Sequence, residues 1–130
     1  MTPSRSPFSY AVLRIVPDIE REEFLNAGLV LFCRSRRFLR ARTSLDAERL
    51  RALRPSADLE ALRAQLALIE KIAAGEVASG PLANMSQSER FHWLTTPRST
   101  AVQPGPIHGG MADDLDVTFE HLYATLVDRS

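Results

Sequence analysis

The sequence predicts an α+β domain: a three- to four-stranded antiparallel sheet with helices packed mainly on one face. Two observations carry this. Residues 8–44 hold apolar runs rich in β-branched and aromatic residues, separated by polar turns, whereas residues 44–127 repeat leucines at helical spacing. Strands grouped ahead of helices favour an antiparallel sheet over alternating βα units. With 130 residues, 45% of them hydrophobic, a single domain spanning 1–130 with one sizeable core is expected.

Each element has its own signal. "FSYAVLRIVP" (8–17) reads as a strand that stops at a proline. "DIEREE" is polar, with room for a short helical turn. "FLNAGLVLFC" (24–33) is apolar on both alternations, as a central strand should be. "RSRR" makes a turn, and "FLRARTS" (38–44) returns as a half-exposed strand, closing a hairpin. Gly28 inside its strand marks a bulge or a close backbone approach. "SLDAERLRALRP" (44–55) is a short helix closed by Pro55, and "SADLEALRAQLALIEKIAAG" (56–75) the firmest helix, with Gly75 placed as its C-terminal cap. "GEVASGPLANM" reads as a loop. "SQSERFHWLTT" (86–96) opens with Ser86 and Glu89 spaced as a capping box. A fourth strand is placed at 98–103. The last helix, from Asp113, starts with Asp113, Asp114 and Asp116, which complement its dipole.

Charge and composition exclude several classes. No apolar run reaches the roughly 20 residues that a membrane helix needs, and the N-terminal segment alternates like a strand rather than a signal peptide. One cysteine, Cys33, offers no disulfide framework and suits a reducing compartment, so the chain reads as cytoplasmic. Net charge is zero, but residues 1–54 hold eleven arginines against six acids and residues 55–130 five bases against ten acids. Such a split suits internal pairing, a homodimer, or a basic face for a partner. It argues against nucleic acid, since half the chain is acidic and no RNA-binding signature occurs; weak single-strand binding stands as a distant alternative.

Alternation sorts the strands into two sets. Leu13, Ile15, Leu25, Ala27, Leu29, Leu31, Leu39 and Ala41 form an apolar face expected to lie under the helices. Phe8, Tyr10, Val12, Arg14, Phe24, Asn26, Val30, Phe32, Phe38, Arg40 and Arg42 form a mixed one. Arginines interleaved with aromatics suit base stacking and phosphate pairing or a protein interface. The preferred reading is plainer: a helix or a second subunit covers the aromatics, and the arginines reach to the rim. Tyr10, Arg14, Asn26, Phe38, Arg40 and Arg42 are the partner-binding candidates on this face.

"TTPRSTAVQPGPIHGG" (95–110) gathers hydroxyls, Arg98, Gln103, His108, three prolines and three glycines. If it leads into the last helix, His108 comes near that helix start, where backbone N–H groups attract anions. Arg90, His92, Arg98, Ser99, Thr100, Gln103 and His108 are therefore candidates for holding a phosphorylated or acidic small molecule. Against this, the three aspartates would repel an anion, and prolines and glycines serve turns equally well. His92, His108 and an aspartate lack any metal-ligand spacing, so no metal is expected. A Ser99–His108–Asp113 triad lacks the G-x-S-x-G elbow that would expose its serine. Phosphate-cradling and dinucleotide fingerprints are missing as well. No catalytic residue and no cofactor is assigned, and the reading is a non-enzymatic module.

"YAVLRIVPD…EEFLNAGLVLFC…RRFLRAR" followed by "ERFHWLTTPRSTAVQPGPIHGG" resembles the uncharacterised bacterial family called domain of unknown function three-zero-three-seven, from about Tyr10 to about Leu126. The "ERFHWL…PRST…QP…H" block is its most specific part. The resemblance implies a small single-domain protein of no established activity. Its pattern covers Asn26, Gly28, Arg90, Phe91, His92, Trp93, Pro97, Arg98, Ser99, Thr100, Gln103, Pro104 and His108. Members are often encoded beside a HipA-like kinase, which suggests a protein partner of that kind.

Overall fold

The computed structural model describes residues 5–98 and 100–128. Five strands and four helices follow one another as β1 (Ser6–Ile15), β2 (Leu25–Cys33), β3 (Phe38–Thr43), α1 (Ala47–Leu53), α2 (Leu59–Ala74), α3 (Gln87–Leu94), β4 (Val102–Pro104), β5 (His108–Ala112) and α4 (Leu115–Leu126). The expected α+β class is observed. Residues 77–84, expected as loop, form a 3-10 stretch that breaks at Gly80, and Ile19–Arg21 is a second such turn.

The sheet has five strands rather than three or four. All pairings are antiparallel, in the order β3-β2-β1, and the outer side of β1 is shared. β5 pairs its first half, Ser6 to Tyr10, and β4 pairs Leu13 to Ile15. The strand expected at 98–103 is thus shorter and later. Pro104 and Pro106 lack the N–H that one unbroken strand would need, so the chain crosses this edge in two pieces. β5 escapes the sequence signal because two glycines carry no strand propensity. A Cβ at Gly110 would lie 2.6 Å from the Phe8 ring, so that glycine makes room for an aromatic laid against the strand.

Three helices cover one face and α4 covers the other. Ala11, Leu13 and Val30 pack against Ile72, Ala73, Phe91 and Leu94, while Ile15, Leu25 and Ala27 meet Leu50, Leu62 and Leu66. On the opposite face Phe8, Leu29, Leu31 and Cys33 pack against Leu115, Phe119 and Tyr123. The assignment of faces therefore needs a correction within β2: Leu29 and Leu31 lie on the mixed face, Val30 and Phe32 on the apolar one. A bulge causes it. Leu13 pairs with Gly28 but Arg14 with Asn26, so Ala27 is a surplus residue and parity reverses across it. Gly28 beside it is also a close approach, since a Cβ there would stand 2.9 Å from the Arg42 carbonyl oxygen.

Helix starts are set by side-chain acceptors. Asp46, Asp58 and Asp114 each accept from the backbone N–H three residues on, at 3.1 Å. Ser86 and Glu89 form the expected capping box. Gly75 caps α2 in the left-handed conformation, at φ 74°. Among the described residues, no helix is long and apolar enough to cross a membrane.

Candidate functional site

The mixed sheet face is occupied by the protein itself. Directly opposed residues on antiparallel strands share a face, so Arg40 follows Leu31 and Arg42 follows Leu29 to the side of α4. There the Arg40 guanidinium lies 4.5 Å and that of Arg42 5.3 Å from the centre of the fully buried Phe119 ring. Arg42 Nη1 donates to Glu120 Oε1 at 2.6 Å, and Arg40 reaches Asp116 at 3.5 Å. The bond to Glu120 raises the Arg42 pKa, and the bond from Arg42 holds the Glu120 carboxyl below its ordinary range. Phe38 packs against the same cluster. These three candidates hold α4 on the sheet.

Five others form a strip along β1 and its neighbours on both sides. Arg14 pairs in register with Gln103 on one side and Asn26 on the other, and Tyr10 with His108, so all five side chains share the α4 face. Arg14 lies 4.1 Å over the half-exposed Phe24 ring, and the Tyr10 and His108 rings stand 5.3 Å apart. Asn26 is spent on the end of α4, donating to the Leu126 carbonyl at 3.0 Å, and Gln103 donates to the Thr100 carbonyl at 2.9 Å.

The 90–108 segment does not converge on one ligand. His108 heads β5 and α4 begins beyond the far end of that strand, so His108 is not beside the helix start. The distance is about 13 Å at the rise of an extended strand. Arg90 is buried, and its Nη1 donates to the carbonyls of Ile72 and Ala73 at 2.9 Å each, closing the C-terminus of α2. Thr100 turns its hydroxyl to the Val102 carbonyl at 2.7 Å. Ser99 lies outside the described residues.

His92 and Arg98 do meet, on the opposite side of the molecule from His108. They line an open groove of about 800 Å³ together with Met85, Glu89, Trp93 and Pro97. The Arg98 guanidinium lies 4.0 Å over the Trp93 ring and donates to the Trp93 and Thr96 carbonyls. Burial lowers the pKa of Arg98. Arg98, Thr100 and Trp93 also border a smaller cavity of about 220 Å³ against Leu68 and Ile72 of α2. The Trp93–Arg98 pair is thus a wall between two recesses.

Trp93 is the site residue that the candidate set lacks. Its signal was the family pattern and its place five residues before Arg98; helical periodicity alone shows it as one more core position. Among the described residues, no group of three or more His, Cys, Asp or Glu side chains could hold a metal ion. Cys33 is buried, its sulfur 3.6 Å from the Ser35 hydroxyl.

No curated protein and no solved structure matches the chain. A family match covers residues 10–127, nearly the whole chain, and it includes β1 from Tyr10 onward, the groove and the last helix. The chain belongs to the family described as protein of unknown function (DUF3037).

Proposed function

We propose that the chain is a non-enzymatic cytoplasmic interaction module that seats a segment of another protein in the groove beside α3. The observation that carries this reading is the Trp93–Arg98 pair. A tryptophan carrying a stacked arginine is the kind of anchor that dominates binding energy at protein interfaces. Met85 and Pro97 supply apolar walls around it, and about 800 Å³ takes several side chains of a partner. Arg98 is partly desolvated and has no carboxylate partner among the described residues, so the docking segment carries an acid that reaches it. The HipA-like kinase suggested by the family resemblance is the first partner to try.

Titration calorimetry of the chain with that kinase tests the reading. Trp93→Ala is expected to weaken binding by about 2–4 kcal/mol, the range of an interface hot spot, with the far-UV spectrum unchanged. Equal affinity of variant and parent would discard the groove as the contact. A second reading has its own support, the uncompensated Arg98 beside His92: the same groove would hold a phosphorylated or acidic small molecule. Thermal-shift measurements with nucleotides and phosphosugars distinguish it, since a ligand at about 100 Kd adds roughly 2.7 kcal/mol of stability.

A further inference from the structure

The outer edge of β5 has backbone bonding capacity to spare. Gly105 N–H donates to the Val12 carbonyl at 2.7 Å, so the even-numbered residues of β1 turn their amides toward β4 and β5. His108, Gly110 and Ala112, which stand opposite Tyr10, Phe8 and Ser6, therefore bond inward. Gly109 and Met111 turn their N–H and C=O groups away from the sheet, and no described strand lies beyond them.

This edge lacks the usual guards. The strand reads His-Gly-Gly-Met-Ala, without lysine, arginine or proline, and its register with β1 is unbroken. Met111 and the preceding Ile107 are about half exposed, at 51% and 54%. Met111 stands opposite the exposed Pro7, on the face away from α4. Gly109 is a second clue. A Cβ there would meet only the Phe8 carbonyl oxygen, at an ordinary 3.6 Å. Unlike Gly110, it has no steric reason inside the monomer to be glycine.

We propose that β5 pairs antiparallel with β5 of a second copy of the chain, about a two-fold axis through Gly110. In that register Gly109 of one protomer faces Met111 of its partner, and each such pair exchanges both N–H···O=C bonds. The bare glycine then has a reason, because the long methionine side chain from across the axis lies over it. The outward amides of Gly109 and Met111 are placed symmetrically about Gly110, which makes the edge complementary to itself. The strand carries no fixed charge and the chain's net charge is zero, so nothing electrostatic opposes the approach of a like strand. The sheet continues unbroken from one protomer into its partner. This surface is separate from the Trp93 groove and does not depend on it.

Sedimentation velocity of the full chain from micromolar to millimolar concentration tests the pairing. A reversible monomer–dimer equilibrium is expected. Gly109→Pro removes one outward N–H without touching an inward bond, and Met111→Lys sets like charges near the axis. Because each change occurs in both protomers, each should weaken dimerisation by at least about tenfold, with the melting curve of the dilute monomer nearly unchanged. A parent chain monomeric throughout would overturn the proposal, including a chain that pairs this edge only with another protein's strand. So would a dimer that both substitutions leave intact. Amide exchange gives a readout that does not depend on the variants: slowing of Gly109 and Met111 with rising concentration supports the register, and equal rates at all concentrations refute it.

Discussion

Arg90 shows how a side chain that looks like a ligand-binding group is committed to the fold. Its two acceptors are the Ile72 and Ala73 carbonyls in the last turn of α2, where the Gly75 N–H also reaches Ile72 at 3.1 Å. Gly75 makes the approach possible, because a Cβ there would stand 2.7 Å from Arg90 Nη1. The density of donors around "ERFHWLTTPRST" was legible in the sequence. That the acceptors are backbone atoms some seventeen residues upstream was not, because carbonyl groups leave no mark on a side-chain pattern. Removing Arg90 takes one donor from the Ile72 carbonyl and the arginine's bond from that of Ala73, and it opens a void. Arg90→Ala should therefore cost about 3 kcal/mol, read from urea denaturation. Arg90→Lys should recover only part of it, since an ammonium cannot reproduce the guanidinium's fixed fork. A surface-like cost within about 0.5 kcal/mol would mean that the cap is immaterial.

At the scale of an element, α4 decides what the mixed face can do. Arginines alternating with aromatics were visible along β1 and β3, and so was the acidic start of the last helix. Their mutual contact was not, since it joins residues about seventy-eight apart: Arg42 and Glu120. The pairing also gives the element a pH dependence. Glu120 titrates lower in the folded chain than in the unfolded one, because Arg42 bonds its ionised form. Its stabilisation is complete above the unfolded value of about 4.3 and fades as pH falls through the lower folded value. Stability should accordingly drop as pH falls below the ordinary glutamate range. Glu120→Gln should flatten that slope while leaving α4 in place, as followed by denaturant melts at each pH. A slope identical to the parent's would show the ion pair to be ornamental.

For the whole molecule, β1 and β2 are the shared members of every core cluster: Phe8, Leu29 and Leu31 in one, Leu13 and Val30 in the second, Ile15, Leu25 and Ala27 in the third. Helices on opposite faces thus rest on the same two strands, and neither layer is expected to melt alone. Urea unfolding followed by Trp93 fluorescence and by far-UV circular dichroism should give coincident transitions; an early step in one signal would uncouple the layers. The strands and helices were legible because period two and period 3.6 are strong signals. The face assignment within β2 was not, because parity reasoning assumes an unbroken pleat; Gly28 in "LNAGLV" signalled a bulge, but not that Ala27 is the extra residue. That alanine leaves the segment one residue longer than regular pairing needs. Deleting it would close the bulge and rejoin the pleat, so Leu25 would stay against α1 and α2 and Asn26 would keep to the side of α4. One residue can thus be lost here with no side chain changing sides, whereas the same loss in an unbulged strand turns over everything beyond it.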